Sequence, residues 1–162
     1  MLNCTPRVGS ISQRIEDVQM IQRSVRCPVA ATLDLVGDRW TLLVVRDLLR
    51  GRLRFSELRA SVEGIPPAIL SGRLKALEAA GVVVRRAYNE RPPRSEYVLT
   101  AKGHRLGVVV GALANWGEQF AESDLALVDN QCGHGVNVIY HCPTCERTSP
   151  RSRVRIVGAD AR

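Results

Sequence analysis

The sequence predicts an α+β chain that is mainly helical, and three observations lead there. Apolar residues recur at helical spacing through most of the N-terminal half, as at Val29, Leu33 and Val36. Two β-rich stretches, residues 82–88 and 95–100, flank the turn-forming segment NERPPR. A further helical stripe begins after Thr100. With 162 residues and 45% hydrophobic content, the chain is long enough for one packed domain with additions and too apolar to be disordered.

The elements follow in order. Ile11, Ile15, Val18, Ile21 and Val25 are spaced four, three, three and four apart and form the first apolar stripe. Pro28 opens a second helix after Cys27, because the first helical position needs no N–H. This helix carries Val29, Leu33 and Val36 and stops at Gly37. Asp38 is placed to cap a third, bearing Leu42, Leu43, Val45, Leu48 and Leu49 and ending at Gly51. Residues 55–60 read as a short helix packed through Phe55 and Leu58, and Gly64 breaks it. Pro66 and Pro67 start a longer helix that reaches Ala80, with Ile69, Leu70, Leu74 and Leu77 inward and Gly81 as its stop. In the hairpin, Tyr97 and Leu99 share one face. Thr100 can cap a final helix over residues 101–121, with Leu106, Val109, Val110, Leu113, Trp116 and Phe120 as its stripe.

The net charge of +7 is unevenly spread, and 21 of the 23 cations are arginine. Residues 1–26 carry +2, residues 27–120 carry +5, residues 121–146 carry −4 and residues 147–162 carry +4. The expected organisation is an N-terminal helical extension over residues 1–26, used for dimerisation, and a central basic domain over residues 27–121. An acidic cysteine-bearing hairpin at residues 130–146 and a basic tail without regular structure at residues 147–162 complete it. No run of about 18 apolar residues occurs and the first residues lack an apolar signal core, so the expected compartment is the cytoplasm.

A short helix, a tight break, a longer helix and a hairpin make a winged helix-turn-helix. On the longer helix, Ala68, Ser71, Arg73 and Lys75 are left near the solvent side. Small residues let a helix enter a major groove, where serine and arginine reach base edges. Arg91 and Arg94, held by two prolines at the hairpin tip, suit a minor groove. Arg52 and Arg54, just before the short helix, suit backbone phosphates. An arginine-rich turn taken alone is most often merely solvated. Here helix, wing and flanking loop are basic together and in the right order, and double-stranded DNA is the expected partner. The stripes at residues 11–25 and 101–121 exceed what one small domain needs, so a homodimer is expected, with two recognition helices about 34 Å apart. The alternative is that both stripes cover the monomer's own core.

Several separated segments, in order, carry a family likeness: CPVAATLDLVGDRWTLLVVRDLL, RFSELRASVEGIPPAILSGRLKALEAAGVV, PPRSEYVLTAKG and ALANWGEQ. Together they resemble the HxlR-type regulators, bacterial winged-helix proteins related to the MarR group. The resemblance implies a homodimeric cytoplasmic regulator of transcription, most often a repressor that binds a pseudo-palindromic operator, with an inducer that the sequence does not identify. Gly72, inside the recognition helix, departs from the pattern at a cost of about 1 kcal/mol relative to alanine.

Five cysteines occur: Cys4, Cys27, Cys132, Cys142 and Cys145. The positive end of a helix and Arg26 both favour a reactive thiol at Cys27, while plain packing is the other reading of a cysteine there. The resemblance adds that several relatives use the cysteine at this Cys-Pro position to sense oxidants or electrophiles. Cys132, His134, Cys142 and Cys145 form two knuckles, separated by seven residues that read as a short β-hairpin through Val136, Val138 and Tyr140. Four soft ligands in two close pairs suit tetrahedral structural zinc, with His141 as a competing ligand. A Cys142–Cys145 disulfide and a metal-free tail are the alternatives. Two other functions remain open at this point: a thiol- or zinc-dependent enzyme, and a zinc-hairpin protein–protein adaptor. No Ser/His/Asp set or Gly-rich phosphate loop supports catalysis, and His104 reads as a surface residue.

Overall fold

The structure is a computed structural model that describes residues 27–90, 93–120 and 126–157, with residues 88–90 and 93–94 described by backbone alone. The expected helix at residues 11–25, Cys4 and Arg91 lie outside the described residues. The chain divides after Thr100 into two compact units.

The first unit runs α1 (Pro28–Val36), α2 (Thr41–Leu49), β1 (Leu53–Arg54), α3 (Phe55–Ser61), α4 (Pro67–Ala79), β2 (Val83–Glu90) and β3 (Pro93–Leu99). Pro28 is the first residue of α1, as its missing N–H requires. Asp38 does cap the next helix. Its Oδ1 accepts the backbone N–H groups of Trp40 (2.9 Å) and Thr41 (3.1 Å), and its Oδ2 accepts the Thr41 hydroxyl. Burial raises the Asp38 pKa, but the Thr41 hydroxyl, the two amides and the Arg73 charge outweigh it and leave the carboxyl below its ordinary value. A depressed carboxylate stabilises the fold above its unfolded pKa and loses that contribution as pH falls through the folded value. Asp38→Ala is therefore expected to cost about 1–2 kcal/mol at neutral pH. The gap to wild type narrows below about pH 4. Urea unfolding at both pH values checks this, and an equal gap at both would remove the carboxylate from the account.

The core of this unit is built from α2 (Val44, Val45, Leu48), α3 (Leu58) and α4 (Leu70, Leu74, Leu77), closed by Val82, Val83 and Leu99. The end of α4 shows why Gly81 stands there. The Val82 N–H reaches the Leu77 carbonyl (2.9 Å) and the Gly81 N–H that of Glu78 (3.0 Å), while Gly81 takes φ +68°. This is a Schellman stop, and Val82 and Leu77, the residues it joins, are both buried. The Thr100 hydroxyl donates to the Gly81 carbonyl (2.7 Å) and ties the end of β3 to the same corner. The sheet order is β1-β3-β2, all antiparallel, with Leu53 opposite Tyr97, Arg54 opposite Glu96 and Val83 opposite Leu99.

The second unit holds α5 (Ala101–His104), α6 (Gly107–Gly117), β4 (Tyr140–Cys142), β5 (Arg147–Ser149) and a single 3-10 turn (Arg151–Arg153). Three expectations change here. The helix expected over residues 101–121 is broken at Arg105 and Leu106, where the N–H of Leu106 bonds to Gly103 and that of Val108 to Arg105. Gly103 and Gly107 flank the break and both weaken helix. The hairpin expected through residues 136–140 forms instead around the Cys142–Cys145 turn, where Tyr140, His141 and Cys142 pair with Ser149, Thr148 and Arg147. The backbone at residues 136 and 138 is claimed by Asn115 of α6. Its Oδ1 accepts the Val138 N–H (2.7 Å) and its Nδ2 donates to the Val136 carbonyl (3.5 Å), standing in for a strand. Gly111 leaves room for this segment, since a Cβ there would lie 3.3 Å from Val138 and 3.4 Å from Leu127. Finally, part of the tail takes regular structure: residues 147–149 pair with β4 and residues 151–153 form the 3-10 turn.

Candidate nucleic-acid interface

Helix α3, the turn at residues 62–66 and α4 form the helix-turn-helix. The turn is anchored by buried Val62 and Ile65, with Gly64 at φ +78° between them. Pro66 then caps α4 and receives the Leu70 N–H at 3.0 Å. Because Leu70, Leu74 and Leu77 fill the core, the opposite side is fixed by helical spacing. Ala68, Gly72, Lys75, Ala76 and Ala79 are exposed along it, and Ser71 is half-buried. Only Lys75 on that stripe is large, so the helix can approach a groove closely. Ile69, expected inward, is 39% exposed. It lies one residue off the Leu70 stripe, about 100° around the helix. Nothing lies within 4 Å of a Cβ added at Gly72, so packing within the chain does not demand glycine there.

Arg73 behaves differently from its neighbours. Its Nη1 stands 3.2 Å from Asp38 Oδ2, so the guanidinium ties α4 to the cap of α2.

In the wing, β3 brings the flanking cations together. Glu96 is opposite Arg54 on one side and Arg86 on the other, and Arg52 pairs with it at 3.3 Å. Arg85 and Arg86 are both exposed. This pair is not among the site residues expected from the sequence, although two adjacent arginines in a β-rich run place one cation on each face. Arg94 lies opposite Asn89 near the tip, and its side chain is outside the described residues.

Cys27 is exposed at the N-cap of α1, so the structure does not pack it into the core. In the second unit, two turns share one hydrogen-bond pattern. Asp129 Oδ1 accepts the N–H groups of Gln131 (2.8 Å) and Cys132 (3.0 Å), and these bonds hold its carboxyl below the usual value. Cys142 likewise accepts the N–H of Cys145, then that of Thr144, and a side-chain hydrogen bond from Cys145, which together lower its thiol pKa. Each turn closes on a left-handed residue, Gly133 at φ +71° and Glu146 at φ +51°. Cys132 and His134 belong to the first turn, Cys142 and Cys145 to the second. Among the described residues, no group of three or more His, Cys, Asp or Glu side chains gathers to hold a metal ion.

A model of the HxlR-like helix-turn-helix family matches residues 35–125. The chain belongs to that family. This HxlR-like chain is 38% identical over 103 residues to an uncharacterized HTH-type transcriptional regulator of Bacillus subtilis, YvaP, covering 63% of the chain and 95% of the relative. The structure of PA1607, a putative transcription factor, matches with a TM-score of 0.69 and 34% identity over 81% of the chain and 94% of PA1607. The redox regulator HypR in its reduced form matches with a TM-score of 0.55 and 36% identity, over 57% of the chain and 92% of HypR. The HxlR-like chain is a DNA-binding regulator of transcription, and these relatives give the enzyme alternative no support. No helix among its described residues is long and apolar enough to cross a membrane.

Proposed function

We propose that this regulator acts in the cytoplasm as a homodimeric repressor on a two-fold-symmetric operator, with α4 in the major groove and the β2–β3 wing in the adjacent minor groove. The observation that carries this reading is the outer face of α4, small except for Lys75, standing in the same unit as a wing that bears Arg52, Arg54, Arg85 and Arg86. Dimerisation is supported by an uncovered stripe at helical spacing: Val109 (37% exposed), Leu113 (52%), Trp116 (64%) and Phe120 (68%). The Trp116 and Phe120 rings meet each other at a tilt of 44°, with centroids 4.9 Å apart. Light scattering is expected to give about 36 kDa, twice 17.8 kDa. A monomer that still binds operator tightly contradicts the two-fold arrangement.

Cys27 is the proposed sensing residue. Its thiol is exposed at a helix N-terminus, and HypR, a fold neighbour, is described in both reduced and oxidised forms. Modification there shifts the population between dimer geometries that match the operator and those that do not. Gly72 gives a separate check on the groove contact. Gly72→Ala is expected to stabilise the free protein by about 1 kcal/mol. It is also expected to weaken operator binding, because the new methyl group lies on the exposed face. Thermal unfolding and band-shift titration read the two signs, and unchanged operator affinity takes Gly72 off the contact face.

A further inference from the structure

We propose that Arg39 binds a DNA phosphate beside the recognition helix, and that Trp40 positions it by stacking against its guanidinium. This role rests on the seating of α4 in the major groove and adds a contact outside both that helix and the wing. The guanidinium carbon of Arg39 stands 4.7 Å from the centroid of the Trp40 ring. Such stacking uses the flat face of the cation and leaves its in-plane N–H groups open. Among the described residues nothing takes them: the ion pairs there join Arg46, Arg52 and Arg73 to acids, and not Arg39. Arg39 is exposed and Trp40 half-buried, so the ring is the firmer of the two and the cation faces solvent. A seated guanidinium with a free donor edge matches two phosphate oxygens at once. A loose surface arginine would first have to give up its rotamer freedom to make the same contact.

The segment that carries both residues is tied to the helix-turn-helix at two points. Asp38 Oδ2 holds Arg73 of α4 at 3.2 Å. A Cβ added at Gly64, in the turn before α4, would lie 3.9 Å from Trp40 Cη2. Arg73 shares a flank of α4 with Ile69, four residues back, and lies about 100° round the helix from Gly72 on the outer face. Arg39 is therefore anchored beside that flank, near the N-terminal end of α4. A helix in a major groove is bordered by the sugar–phosphate strands, and a cation beside its flank meets phosphate rather than base edges. With Arg73 held by Asp38, Arg39 supplies the uncommitted charge on this side.

The test titrates the full chain with mixed-sequence duplex DNA over a range of salt, and again with an operator fragment recovered from genomic DNA. In Arg39→Ala the slope of log affinity against log salt is expected to fall by about 2 for a dimer. Affinity falls about tenfold or more on every sequence alike. Arg39→Lys keeps the charge and therefore most of the slope. Trp40→Leu is expected to weaken binding about two- to fivefold, and to add nothing in the Arg39→Ala background, because the ring acts through the guanidinium. Trp40→Phe keeps a stacking face and binds like wild type, and thermal unfolding checks that each variant is folded. An unchanged slope in Arg39→Ala, beside a Lys75→Ala variant that does weaken binding, overturns the phosphate contact and leaves the seating of α4 intact. If neither variant changes binding, seating and contact fall together. Loss on the operator alone makes Arg39 a base reader and also overturns the contact. Trp40→Leu weakening binding equally with and without Arg39 removes the positioning role.

Discussion

Leu74→Ala is expected to lower the unfolding free energy by about 2–5 kcal/mol, a large part of the stability of a domain this size. Leu74 is 1% exposed and sits between fully buried Leu70 and Leu77 on the inner face of α4. The same helix presents Ala68, Gly72 and Lys75 outward, so the seat that holds the recognition helix is also the main core contact. Truncation leaves a cavity that neighbouring leucines fill only in part. DNA binding at fixed protein concentration then falls with the folded fraction. Lys75→Ala, by contrast, removes an exposed side chain and is expected to change stability by less than about 0.5 kcal/mol while weakening binding. Urea unfolding of both variants separates the roles. A loss below about 1 kcal/mol for Leu74→Ala would mean that α4 is not packed as described.

DNA affinity is expected to collapse as salt rises. If a dimer neutralises about 6–10 phosphates, binding weakens by about 10³ to 10⁵ between 50 and 200 mM salt. The cations that the sequence offers to DNA in each protomer are Arg52, Arg54, Lys75, Arg85, Arg86, Arg91 and Arg94. Arg52 is partly spent on Glu96, and Arg73 is held by Asp38, so neither counts as fully as its sequence position suggests. Arg54→Ala in both protomers is expected to reduce the slope of log affinity against log salt by about 2 and to weaken all sequences alike. Substitution of Ser71, which faces base edges in this arrangement, is expected instead to change which sequences bind. Affinity that stays constant from about 50 to 200 mM would contradict the electrostatic footprint.

Features set by local chemistry were legible in the sequence. Pro28 at a helix start, Asp38 accepting the amides two and three residues on, and Gly81 at the end of α4 each follow from the backbone groups of one turn. The hairpin was legible because two β-rich runs bracket a proline turn. Features that need distant partners were not. Nothing near Arg73 announces its pairing with Asp38, and helical spacing alone gave Ile69 to the core that Leu70, Leu74 and Leu77 already fill. The hairpin expected through Val136, Val138 and Tyr140 begins only at Tyr140, and the backbone at residues 136 and 138 bonds instead to Asn115 on α6, whose position the periodicity of that helix does not mark as special. The basic residues of the site were mostly visible. Arg85 and Arg86 were missed because the run they occupy was read for strand propensity rather than for charge.

The central claim is that two copies of this winged helix read one symmetric site. Selecting bound fragments of genomic DNA with the intact protein, and deriving their consensus, tests it most directly. The predicted result is an inverted repeat whose half-site centres lie about one helical turn, about 10 base pairs, or a multiple of it apart. Enrichment of a single asymmetric half-site, or of no sequence at all, would contradict it.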